Sequence, residues 1–182
     1  MNKAIGGVEL SSLARGFDVT DSMLKTASVE LLLSRSICPG KYVALISGDV
    51  AEVTASVEAG TRRAGPALVD SFVIPNVHED VFPALYGSLS TTELKALGII
   101  ETFSVSCLIE AADAAAKAAS VKLIEIRLAM ALGGKAFVTF TGEVAAVETA
   151  VKAGAEVAGR KGLLTDAVTI PQPRPELLRE MI

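Results

Sequence analysis

The 182-residue chain is 51% hydrophobic and 21% charged, with a formal net charge of -4, a globular composition and not a disordered one. Its pI near 5.1, the lack of any basic cluster and the absence of Trp exclude a nucleic-acid partner. Mean hydropathy is high at +0.48, yet no apolar run reaches the ~18 residues of a membrane-spanning helix, so the surplus points to burial between subunits.

In chain order, residues 4–10 predict a strand, apolar and bounded by turn signals. Residues 17–27 predict a helix, with Asp21 and Lys25 four apart in the favourable acid-first order. Residues 29–35 alternate as a strand, residues 36–41 form a Gly-containing loop, and residues 42–47 form a third strand. Gly48-Asp49 opens a second helix that ends near Gly65, the acid being favoured by the helix dipole. A fourth strand runs to Ile74-Pro75, where proline stops it, and a short third helix follows. Residues 87–93, Gly-Ser-Leu-Ser-Thr-Thr-Glu, make a polar linker.

The same order is then written again. Ala4-Ile5-Gly6-Gly7-Val8-Glu9 matches Ala96-Leu97-Gly98-Ile99-Ile100-Glu101 at an offset of 92. Asp21, Lys25, Ser28, Val29 and Arg35 recur as Asp113, Lys117, Ser120, Val121 and Arg127. The offset becomes 94 for Gly40-Lys41 and Gly134-Lys135, and for Ala59-Gly60 and Ala153-Gly154. It is 96 for Ile74-Pro75 and Ile170-Pro171. Coincidence in an Ala-rich chain does not account for agreement at Gly, Asp, Lys and Pro together. Each copy therefore reads β-α-β-β-α-β-α, an α+β, ferredoxin-like order with an added helix. The domains expected are residues 4–86 and 96–182. Copies this small bury a limited core and benefit from a twin.

Reactive residues are few. Residues 1–5 carry no apolar signal core, which points to a cytoplasmic chain. Two cysteines, Cys38 and Cys107, make no disulfide framework, and a single histidine, His78, excludes sites needing two. Cys107 has apolar neighbours in Val105, Leu108 and Ile109 and reads as core packing. His78 reads as a surface or edge residue, and Glu9 and Glu101 as structural or lateral-interface groups. No phosphate loop, dinucleotide fingerprint or nucleophile–base set occurs, so no enzyme is expected.

The string Ala-Ile-Gly-x-Val-Glu, Asp-x-Met-x-Lys-x-Ala-x-Val, a Gly loop, Gly-Asp-Val and Val-Ile-Pro resembles the bacterial microcompartment shell domain. Two copies in one chain look like the tandem-domain, trimeric class, in its ordinary, non-permuted strand order. Ser36-Ile37-Cys38-Pro39-Gly40-Lys41 narrows the likeness to the T-type class of propanediol-utilisation microcompartments. The resemblance implies a homotrimer that works as a pseudo-hexameric tile in a microcompartment shell within the cytoplasm, beside other shell proteins. It implies a central pore lined by Ser36, Ile37, Cys38, Pro39 and Gly40 of the first copy and by residues 129–134 of the second, among them Met130, Gly133 and Gly134. It also implies tile-edge contacts at Lys25 and Lys117, although as residues alone these read equally as solvated helix ends. The family arginine that follows Ile-Pro is replaced here by Asn76 and Gln172, with Arg174 nearby.

Within one chain, Cys38 reads as a small idle thiol. On the three-fold axis that the resemblance implies, it becomes three converging thiolates. Cysteine thiolate is the usual ligand of a [4Fe-4S] cubane, and the T-type class uses its matching cysteine in this way. One cluster per trimer is thus expected, for electron or cluster transfer across the shell, with an encapsulated or cytosolic redox protein as a further partner. Two other readings stay open: a tile whose pore passes small metabolites without a cluster, and a small-molecule sensor.

Overall fold

In the computed structural model, the described residues are 4–87, 94–129, 132–174 and 176–177. By packing, the chain divides into two units. Unit 1 comprises Met1–Val77, Ser104–Ser106 and Ala129–Gly134, and unit 2 comprises His78–Phe103, Cys107–Leu128 and Lys135–Ile182.

The first copy runs β1 (Ala4–Leu10), α1 (Leu13–Thr26), β2 (Glu30–Ile37), β3 (Lys41–Gly48), α2 (Val50–Ala64) and β4 (Leu68–Ile74), with α3 (Val81–Leu85) after it. The second runs β5 (Ala96–Thr102), α4 (Val105–Ala118), β6 (Val121–Arg127), β7 (Ala136–Gly142), α5 (Val144–Arg160) and β8 (Leu164–Pro171). Each copy forms one antiparallel sheet, in the orders β2-β3-β1-β4 and β6-β7-β5-β8. This is the ferredoxin-like α+β order expected. The short helix expected after β8 falls mostly outside the described residues, as do Met130 and residues 88–93 of the linker.

Two boundaries differ from expectation by more than one residue, each for a local reason. Helix α1 begins at Leu13, not at 17, because Ser12 caps it by accepting the Arg15 N–H at 3.3 Å. Strand β2 extends through Ser36 and Ile37, held in register with Tyr42 and Lys41. The loop expected over residues 36–41 is thereby only Cys38, Pro39 and Gly40.

In unit 1 the alternate residues Ala4, Val8 and Leu10 of β1 and Tyr42, Ala44 and Ile46 of β3 form one core with Val19 and Met23 of α1 and Val53 and Val57 of α2. The helices approach closely where the Ala-Gly pair falls. A Cβ on Gly60 would lie 2.8 Å from Met23 Sδ, and one on Gly154 would lie 2.7 Å from the Ala111 carbonyl oxygen. The repeated glycine is therefore a packing requirement in both copies. Beside it, Ser56 Oγ donates to the Met23 carbonyl at 3.0 Å.

A carboxylate fastens each helix pair outside the core. Arg63 of α2 grips Asp18 of α1 with two hydrogen bonds, at 2.9 and 2.7 Å, and Arg15 adds a third at 2.7 Å. The Arg63 guanidinium, then that of Arg15, holds the Asp18 carboxyl below its usual range. At the corresponding place in unit 2, Glu110 takes Lys161.

Candidate functional site

The β2–β3 loop is the first place to look for chemistry, because it carries the half-buried thiol of Cys38. Ile37 is buried behind it, while Ser36, Pro39 and Gly40 are exposed. Gly40 turns the chain at φ 78°, a conformation that favours glycine. The Cys38 N–H donates to the Ala129 carbonyl at 2.9 Å. A Cβ on Gly134, whose φ is 87°, would lie 2.8 Å from Pro39 Cδ. The structure thus joins the corresponding loops of both copies within unit 1, Cys38 and Pro39 touching Ala129 and Gly134. Gly133 is exposed beside them.

Among the described residues, no cluster of three or more His, Cys, Asp or Glu could hold a metal ion within one chain. The donor available at this loop is one soft thiol, which suits iron–sulfur ligation and not a hard cation. Cys107 is fully buried and belongs to the core, as its neighbours suggest. His78 is half-buried, and its Nδ1 accepts the Asp80 N–H at 3.3 Å.

The repeated carboxylate of the first and fifth strands forms a second site. Glu9 lies opposite Val43 on β3 and opposite Asp70 on β4, and it is fully buried. Its Oε1 takes Lys41. Its Oε2 accepts Ser104 Oγ at 2.9 Å, the Val105 N–H at 3.0 Å and the Ser106 N–H at 3.3 Å. Ser104 Oγ also lies 3.1 Å from Asp70 Oδ2. Residues 105 and 106 open α4, so Glu9 satisfies amides that a helix leaves without an internal partner, and its charge faces the positive end of the helix dipole.

In unit 2, Glu101 lies opposite Phe137 and Asp166 in the same register, and it pairs with Lys135 at 2.8 Å. The arrangement is repeated, but the covering is not. Glu101 is 27% exposed where Glu9 is 0%. Val168 is 40% exposed where Phe72 is 4%. The result is an open hollow of about 310 Å³ lined by Ile99, Glu101, Phe137, Thr139, Asp166 and Val168. Sequence reasoning found the two glutamates as repeat partners, but the inequality of their surroundings was hidden from it.

The predicted edge lysines also differ. Lys25 pairs with an exposed Asp21 at 2.6 Å. Lys117 pairs at 2.6 Å with Asp113, which is 8% exposed and also accepts the His78 N–H at 2.8 Å. No helix among the described residues is long and apolar enough to cross a membrane.

Two copies of one ferredoxin-like unit with these repeated positions define a tandem-domain protein, and both copies match the BMC domain, at residues 4–77 and 96–173. The chain belongs to that family: it is a structural shell protein of a bacterial microcompartment, not an enzyme. It is 44% identical to the microcompartment shell protein PduT of Citrobacter freundii, over 100% of this chain and 99% of that one. It is 43% identical to the shell protein EutM of Escherichia coli, over 46% of this chain and 84% of that one. A microcompartment protein structure from Desulfitobacterium hafniense superposes with a TM-score of 0.90 at 51% identity, covering 98% of this chain and 99% of that one.

Proposed function

We propose that this chain forms a homotrimeric shell tile whose Cys38 thiols together hold one [4Fe-4S] cluster at the centre. The observation that carries the reading is the short loop of Cys38, Pro39 and Gly40, which holds the half-buried thiol beside exposed Pro39 and Gly40 and ties the Cys38 N–H to the Ala129 carbonyl. A three-fold axis at this loop makes three ligands from one. The matching segment of the second copy includes Ala129, Gly133 and Gly134 and has no cysteine, so three thiolates are supplied and not six. Bound there, the cluster supplies one-electron chemistry in the shell wall, with a redox protein on one side as its partner.

In this reading Ser36, Ile37, Pro39 and Gly40 shape the pore beside the thiol, joined by the 129–134 segment. Pro39 and Gly134 hold the two loops against each other. Lys25 and Lys117 lie at tile edges, where neighbouring shell proteins meet. Iron and acid-labile sulfide assays on anaerobically purified protein test the cluster. About four irons and four sulfides per three chains are expected. Protein reconstituted with iron and sulfide that still holds neither is a tile with an open pore for small metabolites.

A further inference from the structure

The second copy's version of the Cys38 loop is two residues longer than the first. Arg35 and Gly40 are five positions apart, while their repeat partners Arg127 and Gly134 are seven apart. Only Cys38, Pro39 and Gly40 join β2 to β3, whereas residues 128–135 join β6 to β7. The longer loop carries no cysteine, but two of its residues lie against the shorter one. Ala129 and Gly134 fall with Cys38 and Pro39 in unit 1, and not with the strands that they connect.

The short loop is fixed at both flanks, so only its three residues can shift. Ile37 before it is buried, and Lys41 after it is held by Glu9. Gly40 has nothing within 4 Å of where a Cβ would stand. Two restraints come from the other loop. The Ala129 carbonyl takes the Cys38 N–H at 2.9 Å, and Ala129 is itself fully buried at φ 39°, an uncommon conformation for a residue with a Cβ. Gly134 lies so close that a Cβ there would be 2.8 Å from Pro39 Cδ and 3.5 Å from the Cys38 carbonyl oxygen. Pro39 Cδ is bonded to the nitrogen of the Cys38–Pro39 peptide. It cannot swing aside as a flexible side chain does, so whatever pushes on this ring moves Cys38 with it.

We propose that Ala129 and Gly134 are positioning residues for the Cys38 thiol: the second copy's loop supplies no ligand and instead holds the loop that does. The inference rests on the trimeric cluster reading above. Ligands of a metal site must stand within about 0.5 Å of their working geometry. On a three-fold axis, a shift of one thiol is repeated in all three, so every thiol–thiol separation changes at once. A three-residue loop ending in an exposed glycine does not supply that precision alone. A backbone bond to a buried residue and a ring seated on a glycine supply it.

Gly134→Ala and Gly133→Ala separate this role from backbone strain. Both glycines hold positive φ, 87° and 61°, so alanine is strained at either. At Gly133 the added methyl meets open space, and at Gly134 it meets Pro39. Light scattering should give the unsubstituted mass for both variants. In cluster-free protein, the thiol reagent dithiobis(nitrobenzoate) should label Cys38 several-fold faster in Gly134→Ala than in Gly133→Ala, with buried Cys107 as the slow internal reference. After anaerobic reconstitution with iron and sulfide, the brown absorption per trimer should fall below half in Gly134→Ala and hold its unsubstituted level in Gly133→Ala. Equal labelling of the two variants overturns the positioning role, whatever their colour. An unsubstituted protein that takes up no iron overturns the cluster reading instead, and the labelling comparison still decides the brace. One measurement needs no variant. The Cys38 amide should be protected from hydrogen exchange in the unsubstituted protein, and exchange at the rate of an unbonded amide overturns the brace whether or not Gly134→Ala folds.

Discussion

Ser104 Oγ donates to Glu9 Oε2 across 2.9 Å, joining residues 95 positions apart. The same carboxylate holds Lys41, whose side chain is 17% exposed, and two amides at the start of α4. Glu9→Ala would strand a mostly buried ammonium and those amides at once. Losing one partner of a buried charge pair costs about 3–5 kcal/mol. Urea denaturation should show a loss of that size at every protein concentration. Glu101→Ala should cost less, under about 1 kcal/mol, because its carboxylate is 27% exposed and its pair with Lys135 at 2.8 Å is open to solvent. Equal losses at the two positions would mean that the burial of Glu9 adds nothing to the strength of its joint.

Gly154→Ala should destabilise, although alanine favours a helix by about 1 kcal/mol over glycine. The added methyl would lie 2.5 Å from Ile100 Cδ1 and 2.7 Å from the Ala111 carbonyl oxygen. Ile100 can shift, but the backbone of α4 cannot without moving the helix. A net loss of roughly 1–3 kcal/mol follows from overpacking of this kind. Thermal unfolding of the variant tests it, and a raised midpoint would show that the helices have slack.

Asp18 supplies a pH dependence with a definite sign. Its carboxyl titrates below the ordinary 3.8, chiefly through hydrogen bonding to Arg63 and next through Arg15. A depressed folded value means that the paired carboxylate stabilises the fold above the unfolded value and stops doing so as pH falls through the folded one. Carboxyl NMR titration should place Asp18 below 3.8, and Arg63→Gln should return it toward 3.8 by more than Arg15→Gln does. A midpoint indifferent to Arg63 would overturn the assignment.

The repeat made most of the fold legible. Gly6 and Gly98, Lys41 and Lys135, and Ile74-Pro75 and Ile170-Pro171 fixed strand and helix order twice over, and the observed sheets follow it. The start of α1 was missed because Ser12 looks like a loop residue until its cap on Arg15 is seen. The thiol at Cys38 was legible as a residue type, and the short loop now gives it a place. The asymmetry of Glu9 and Glu101 was illegible in principle. The two strands carry the same signal, and what distinguishes them is which surface has found its cover.

The lysines predicted at tile edges should separate under the same substitution. Lys25→Asp removes an exposed pair with Asp21, worth under about 1 kcal/mol. It should leave mass unchanged and lower the unfolding midpoint only slightly, through repulsion from exposed Asp21, while reducing assembly into sheets, seen by electron microscopy. Lys117→Asp instead sets a second carboxylate beside the buried Asp113, which also anchors the His78 N–H. Its unfolding midpoint should fall as well, so sheet loss in that variant alone carries no information about edges. Lys117→Ala, which adds no charge, is the matched partner to Lys25→Ala. Unaltered sheets from the double alanine variant would remove both lysines from the edge.

The two cysteines provide the last contrast. Cys38→Ser changes a half-buried thiol in a three-residue loop and adds no bulk. It should leave the trimer and its unfolding curve intact, since neither the Cys38 N–H bond to Ala129 nor the approach of the Pro39 ring to Gly134 involves the sulfur. It should abolish the brown absorption near 400 nm in anaerobically reconstituted protein. Cys107→Ser acts on the opposite quantity. A hydroxyl replaces a fully buried sulfur, which costs stability by roughly 1–3 kcal/mol where the hydroxyl finds no partner, and the colour should persist in whatever fraction folds. Iron content per folded chain therefore falls for one variant and not for the other. Bleaching by Cys107→Ser with Cys38→Ser still coloured would assign the ligand to the wrong loop and leave an open pore as the function of the first.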